Sequence, residues 1–372
     1  MTLQKHAVAV RGFSTLLKFS AWLRNLTDSL TPPPFRLIQI GSAFWQSRVL
    51  YVATRLDIAT VLADGTLAVE AIAGRVAADP DALYRLLRML TAMGIFEETT
   101  PRHFTNNRVS GFLRADNPEN VRAMILMHNS QEMSRPWYEQ FETGVRSGKV
   151  PFRLAHDEEL YSYMDTHPEF DALFMQAMDS VEALTGDSFA TDFDWGRFGR
   201  IIDIGGSRGS KSLAILKRHS GLRALVVDRA RVVQEAARHW QGKEDDSVLA
   251  RMTFQAGDVL ESVPEAETDR DIYLLSAVLH GFDDETCIRM LRNLVDAARA
   301  AGACIAIMEV VMPESGTDPA SASFDLQMFA GTRGRERTLR EWQALFDASG
   351  AALEDVVSLR SFGKILVIRP GV

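Results

Sequence analysis

The chain has 372 residues, 46% hydrophobic and 24% charged, ordinary globular proportions that exclude a disordered, collagenous or disulfide-framework protein; at roughly 150 residues per domain its length allows two or three domains. Cys287 and Cys304 are the only cysteines, not spaced as metal pairs, and read as reduced thiols of a cytoplasmic protein. A net charge of −8 with pI near 5.6 supplies no global positive field for nucleic acid or an anionic membrane.

No apolar run approaches the ~20 residues of a membrane span. Residues 1–34 form an amphipathic N-terminal arm. Lys5, Arg11, Lys18 and Arg24 occur with no acid before Asp28, and Leu16, Phe19, Leu23, Leu26 and Leu30 recur at helical spacing up to Pro32-Pro33-Pro34. Lys18 interrupts the apolar stretch a secretory signal would need. Packing on a dimer partner is the favoured use of the arm, and contact with a membrane surface is the alternative.

Residues 35–116 read as helices with short connections. Asp79-Pro80 pairs an N-cap with a proline at the first helical position, Leu83, Leu86, Leu87 and Leu90 share one face of the helix from Asp81 to Met93, and Gly94 ends it. Ile95–Glu97 and His103–Thr105 then flank a turn around Pro101 as a short hairpin. Helices followed by such a pair suggest a winged helix. With 8 Lys/Arg against 7 Asp/Glu between Phe35 and Ser110 it has no basic face for DNA. Residues 117–193 are again helical and rich in Met and aromatic residues, among them Met124, Met127, Trp137, Phe174 and Met178. Core is the commoner use of such a stripe, and a pocket for a flat apolar molecule is the other.

From 194 to 372 short β-rich runs (Ile201–Ile204, Ala224–Asp228, Met252–Gln255, Asp271–Leu275, Cys304–Met308) alternate with helical stretches, which predicts a parallel, doubly wound sheet. Leu353–Leu359 and Lys364–Ile368, joined through Phe362-Gly363, read as an antiparallel hairpin at its edge. Ligands of such sheets bind at the carboxyl ends of the strands. Asp203-Ile204-Gly205-Gly206-Ser207-Arg208-Gly209 ends the first strand with glycines that let a ligand approach bare backbone. It matches neither a dinucleotide fingerprint nor a phosphate-binding lysine loop. Asp228 closes the second strand, where a carboxylate can take both ribose hydroxyls, and Asp258 follows the third, within reach of an adenine amine. Three acids at successive strand ends point to an adenosine-containing ligand. After the fourth strand, His280 is placed to take a proton from a phenol as a neutral imidazole with pKa near 6.5. Asp283, Asp284 and Glu285 read as a capped, dipole-complementing first helical turn and not as metal ligands, having no partner at helical spacing.

Together Asp203–Gly209, Gly257-Asp258, His280–Glu285, Met308-Glu309 with Met312-Pro313, and Gly334–Thr338 resemble the class I S-adenosylmethionine-dependent O-methyltransferases of the plant caffeic-acid type and their bacterial natural-product relatives, over Phe35 to Pro370. The resemblance implies a Rossmann-like α/β catalytic domain (194–372), a winged-helix-like dimerisation domain (35–116) that makes a homodimer, and a helical linker and substrate-pocket region (117–193). It implies that Asp203, Gly205, Gly206, Ser207, Gly209, Asp228, Asp258, Val259 and Phe282 hold S-adenosyl-L-methionine and release S-adenosyl-L-homocysteine. It further implies His280 as general base flanked by Glu309 and Glu336, a pocket lined by Phe174, Met178, Asp325 and Met328 for an aromatic or polyketide-like hydroxyl acceptor, and no metal. The family's His-Asp-Trp is His280-Gly281-Phe282 here, its middle loop Gly is Ser207, and Arg229-Ala230 replaces Leu-Pro after the ribose acid. Gly281 leaves open a relative that binds the cofactor for hydroxylation, decarboxylation or a pericyclic step, and the helices with a wing leave open a regulator.

Overall fold

The computed structural model describes residues 2–361 and 363–371, leaving Phe362 of the predicted hairpin link outside the described residues. The chain divides into two compact units, residues 1–21 with 186–372, and residues 22–185. In the first, β4 (Arg200–Ile204), β5 (Arg223–Asp228), β6 (Met252–Ala256), β7 (Asp271–Ser276) and β8 (Cys304–Met312) pair in parallel in the order β6-β5-β4-β7-β8. Two-residue β9 (Arg337–Thr338) adds to the end of β8. The sheet ends in an antiparallel hairpin of β10 (Ala351–Ser358) and β11 (Gly363–Pro370), with β11 against β8. Ile201, Ile202, Ile204, Leu274, Leu275, Ile305 and Ile307 are each no more than 1% exposed, because helices cover both faces and continuous β-branched and Leu runs can bury both sides of a strand. The predicted α/β sheet with its edge hairpin is present.

The second unit is helical, with the small antiparallel sheet β1 (Leu67–Ala68), β3 (His103–Asn106) and β2 (Phe96–Thr100) in the order β1-β3-β2. The expected hairpin is therefore three-stranded. Asp79 caps the helix Pro80–Ala92 by accepting from the Ala82 amide at 2.8 Å, and Leu83, Leu87 and Leu90 are buried as their spacing predicts. The expected boundary after 116 does not separate two cores: residues 35–116 and 117–185 lie in this unit, and Val121 and Ile125 pack on the core made by Ile58, Ile72, Leu87 and Phe104. The Met and aromatic stripe divides. Met127, Met133, Phe152 and Met164 are core, whereas Tyr138 and Tyr161 are exposed.

The N-terminus also departs from expectation. Residues before the first helix do not stand off as part of an arm: Thr2 Oγ1 and the Leu3 amide donate to Asp355 Oδ2 at 3.0 and 2.8 Å, and the Lys5 amide donates to the Asp192 carbonyl at 2.7 Å. Phe189, Ala190 and Phe193 join the same core, so the catalytic unit begins before the expected residue 194. The helix Ala7–Leu30 follows, with Leu16, Phe19, Leu23, Leu26 and Leu30 exposed, and Pro33 opens a further helix, Pro33–Ser42, where the arm was expected to stop. Among the described residues no helix is long and apolar enough to cross a membrane.

At the amino ends of β4 and β7, Arg200 holds Asp271 in a pair of hydrogen bonds at 2.7 and 3.1 Å, both residues being nearly buried. Removing one partner of a buried pair leaves a desolvated charge. Arg200 Nη1 also donates to Glu267 Oε1 at 2.5 Å. Asp271→Ala is expected to destabilise the protein by about 3 kcal/mol, read from the midpoint of urea unfolding; a loss indistinguishable from zero would mean that Glu267 alone satisfies Arg200.

Candidate active site

The chain winds from β4 through β5 to β6 on one side and returns through β7 to β8 on the other, so the strand order reverses between β4 and β7. In an open α/β sheet that crevice takes the ligand. The loop after β4 is tightly formed: Gly205, Ser207 and Gly209 have φ of +69°, +52° and +78°. A Cβ at Gly205 would lie 2.9 Å from Val278, and one at Gly206 would lie 2.6 Å from the Asp203 carboxyl. Gly209 precedes the helix Ser210–Arg218, whose positive end faces back along this loop. Asp203 is buried and accepts from Ser212 Oγ at 2.7 Å, so its carboxylate braces the loop against the helix. Asp228 Oδ2 accepts from the Ser207 amide at 2.8 Å and Oδ1 from the Arg229 amide at 2.7 Å. Both oxygens retain lone pairs for a diol. Asp258 is exposed at the end of β6, Val259 is half-buried beside it, and Phe282 is half-buried after β7. Bare backbone and successive carboxylates fit a nucleoside with a cationic centre, and the helix N-terminus fits a carboxylate on its tail.

His280 lies in a short 3₁₀ turn, Leu279–Gly281, beyond β7. Its Nδ1 is 2.8 Å from Glu336 Oε1 and 3.7 Å from Glu309 Oε2, and both acids have fully buried side chains. Since an ionised carboxylate only accepts, Nδ1 carries the proton and Nε2 is left as the basic nitrogen. Glu309, on β8, accepts from the Val278 and Leu279 amides at 3.0 and 2.9 Å through Oε1. Glu336 is positioned by the pairing of β9 with β8 and by Asp325 Oδ1, which accepts from the Glu336 amide at 2.9 Å. Burial alone would push the His280 imidazole down, but the Glu309 charge and the hydrogen bond and charge of Glu336 outweigh it and hold it up to about 9. This corrects the expectation of an imidazole near 6.5. Burial also raises Glu309, opposed by His280 and reinforced by Glu336.

Glu309 and Glu336 come to His280 from strand and loop segments far along the chain. Ligand atoms of these three residues lie within 4.8 Å of one another, close enough to share a metal ion, an arrangement that helical spacing does not reveal. Of the expected pocket residues, Asp325 and Met328 lie on the helix Pro319–Gly331 in the first unit. Phe174 and Met178 lie on the helix Pro168–Thr185 in the second, partly buried against its core. Sequence reasoning assigned no part to Gly334 or Arg337. A Cβ on Gly334 would collide with the His280 carbonyl, so the Glu336 loop and the His280 turn touch backbone to backbone. As expected, Asp283 caps the helix Asp284–Arg299, accepting from the Thr286 amide at 2.9 Å, with Asp284 and Glu285 in its first turn; Asp284 in addition binds Arg335 and Arg337.

Residues 138–352 match the O-methyltransferase domain family and residues 38–116 match its dimerisation domain. The chain is 32% identical over 335 residues to a phenazine O-methyltransferase of Lysobacter antibioticus, spanning 90% of this chain and 95% of that one. It is 31% identical over 333 residues to a phenazine-1-carboxylate N-methyltransferase of Pseudomonas aeruginosa, spanning 89% and 96%. A calicheamicin-biosynthesis methyltransferase solved with S-adenosylhomocysteine bound superposes with a TM-score of 0.77 at 29% identity, covering 91% of this chain and 98% of that one.

The His280 cluster links pH to stability. A group raised by folding stabilises fully below its ordinary value and loses that contribution as pH rises through the folded value. The protein is therefore expected to lose stability progressively between pH 6.5 and about 9. Urea unfolding at three pH values, compared with His280→Gln, checks this: the variant should lack that slope, and parallel slopes would place the imidazole outside the carboxylate field.

Proposed function

The chain belongs to the O-methyltransferase family and is an S-adenosylmethionine-dependent O-methyltransferase, and from that premise we propose that it methylates a hydroxyl of an aromatic or polyketide-like small molecule with His280 as general base. The observation that carries this reading is the hydrogen bond from His280 Nδ1 to buried Glu336, which leaves Nε2 as the acceptor of a proton. The likeness to a phenazine O-methyltransferase and a phenazine-1-carboxylate N-methyltransferase supports a flat aromatic acceptor. In this reading Gly205, Gly206, Ser207 and Gly209 cradle the cofactor's amino-acid part, Asp228 takes the ribose hydroxyls, Asp258 and Val259 the adenine edge, and Phe282 its face.

Bound S-adenosylmethionine supplies a methyl group already activated by its sulfonium. The chain's own residues align the acceptor and move one proton. Nε2 of His280 takes the hydroxyl proton, and the imidazolium that results is held between Glu309 and Glu336, so the positive charge develops where two carboxylates already face it. Within the first unit, Asp325 and Met328 are the residues proposed to meet the acceptor. A soft Met side chain there suits a planar ring. The dimerisation domain and the exposed apolar face of the helix Ala7–Leu30 are proposed to make a homodimer.

His280→Ala is expected to lower turnover by about 10²–10⁴ while leaving calorimetric affinity for S-adenosylhomocysteine unchanged; full turnover would remove His280 from the reaction. Asp228→Ala should instead weaken cofactor binding, and unaltered affinity would put the ribose elsewhere. With a panel of phenols, formation of one S-adenosylhomocysteine per methylated product separates methyl transfer from other chemistry on the same cofactor.

A further inference from the structure

Arg337 is fully buried, and its guanidinium lies 5.3 Å from the ring centre of Trp342. It donates from Nη1 to the Leu279 carbonyl at 3.2 Å and from Nη2 to the Phe282 carbonyl at 2.8 Å. Nε and Nη2 also reach Asp284 Oδ1 at 3.0 and 2.7 Å. Leu279 opens the turn that bears His280 and Phe282 follows it, so the two carbonyls bracket the turn. The amides of Val278 and Leu279 are held by Glu309. The turn is thus gripped by an anion on its N–H groups and by a cation on its carbonyls, each a charge-assisted contact.

We propose that Arg337 is a positioning residue that clamps the Leu279–Gly281 turn and so sets where the His280 imidazole stands relative to Glu309 and Glu336. A planar guanidinium with five donors can reach two carbonyls and a carboxylate at once; a lysine ammonium on a flexible stem cannot. Glu336 and Arg337 are neighbours in the chain, so one backbone segment delivers the partner of the imidazole and the clamp on its turn. Close approach at Gly334 fixes the distance between the two segments.

The charged groups around this clamp come from four elements. His280 is faced by Glu309 of β8, by Glu336 in the loop before β9, and by Arg337 of β9, whose charge lowers the imidazole. Arg337 is in turn faced by Asp284 and by the Cys287 thiol of the helix Asp284–Arg299, and Asp284 is shared with Arg335. The proposal rests on His280 being the base, but it can be tested on the protein alone, without an acceptor.

The test is the proton NMR titration of His280, identified by comparison with His280→Gln, in the wild type, Arg337→Lys and Arg337→Met. Amide exchange of Leu279 and His280 is followed in the same samples. Arg337→Met removes the opposing charge, and the His280 midpoint should rise by about one pH unit. Arg337→Lys keeps the charge, so the midpoint should stay while exchange of the two amides quickens about three- to tenfold, the equivalent of one lost hydrogen bond. Turnover in the lysine variant should fall with affinity for S-adenosylhomocysteine retained. Should the methionine variant fail to fold, the lysine variant decides through exchange and turnover. Wild-type exchange and turnover in folded Arg337→Lys would overturn the proposal and reduce Arg337 to core filling. A clamped turn whose His280→Ala variant keeps full turnover would instead sink the assignment of the base and leave the clamp standing.

Discussion

Two carboxylates with no exposed side-chain surface face a single imidazole, and most of the catalytic unit's local structure follows from keeping that arrangement neutral enough to bury. A desolvated carboxylate costs several kcal/mol unless it is paired and hydrogen-bonded. Glu309 meets this requirement through the Val278 and Leu279 amides and through His280. Glu336 meets it through His280 Nδ1 at Oε1 alone, and the Oε2 atoms of both acids are buried without a hydrogen bond. Each demand recruits an element: β8 must run long enough to present Glu309, β9 must pair with β8 to bring up Glu336, and residue 334 must lack a side chain so that the two segments can touch.

The ligand half of the crevice is organised by a different constraint, backbone conformation. Gly205, Ser207 and Gly209 all take positive φ, and Ser207 does so with a Cβ, at a modest steric cost. The Ser207 amide is held by the Asp228 carboxylate, so the loop after β4 and the acid ending β5 stabilise one another before any ligand arrives. A Cβ on Gly205 would press on Val278, one residue before the His280 turn. The loop after β4 and the turn after β7 therefore pack as one surface, and a change in either is felt by the other.

The sheet was legible because its signals are local. Runs such as Ile201–Ile204 and Asp271–Leu275 announce buried strands, and Asp79-Pro80 announces a helix start within two residues. His280 and the strand-end acids are legible by position, but Glu309 and Glu336 only through resemblance, since they stand 29 and 56 residues from His280 and no periodicity connects them. Gly334 and Arg337 carry no sequence signal of their part, because they act on backbone carbonyls of a distant turn and no side-chain pattern records that. The basicity of His280 was misjudged for the same reason: it depends on which charges burial brings close. The tethering of residues 2–5 to Asp192 and Asp355 is not legible, because a contact between chain segments so far apart leaves no pattern in a tetrapeptide with one apolar residue, Leu3.

A raised imidazole is not by itself an advantage to a base. Lifting it from 6.5 to about 9 strengthens it roughly 20-fold at a Brønsted slope of about one half. The same lift lowers the neutral fraction at pH 7.5 by about 30-fold. The two effects nearly cancel, so basicity is not what the buried acids contribute to the proposed reaction. Their contribution is geometric: a hydrogen bond that keeps the proton on Nδ1, a ring direction set by Glu336, and a turn pinned at its amide end by Glu309. Alignment of reacting groups can supply several kcal/mol of a barrier, far more than the small remainder of the basicity terms. Cofactor loop and His280 turn share one rigid sheet end, which is where such alignment can be held.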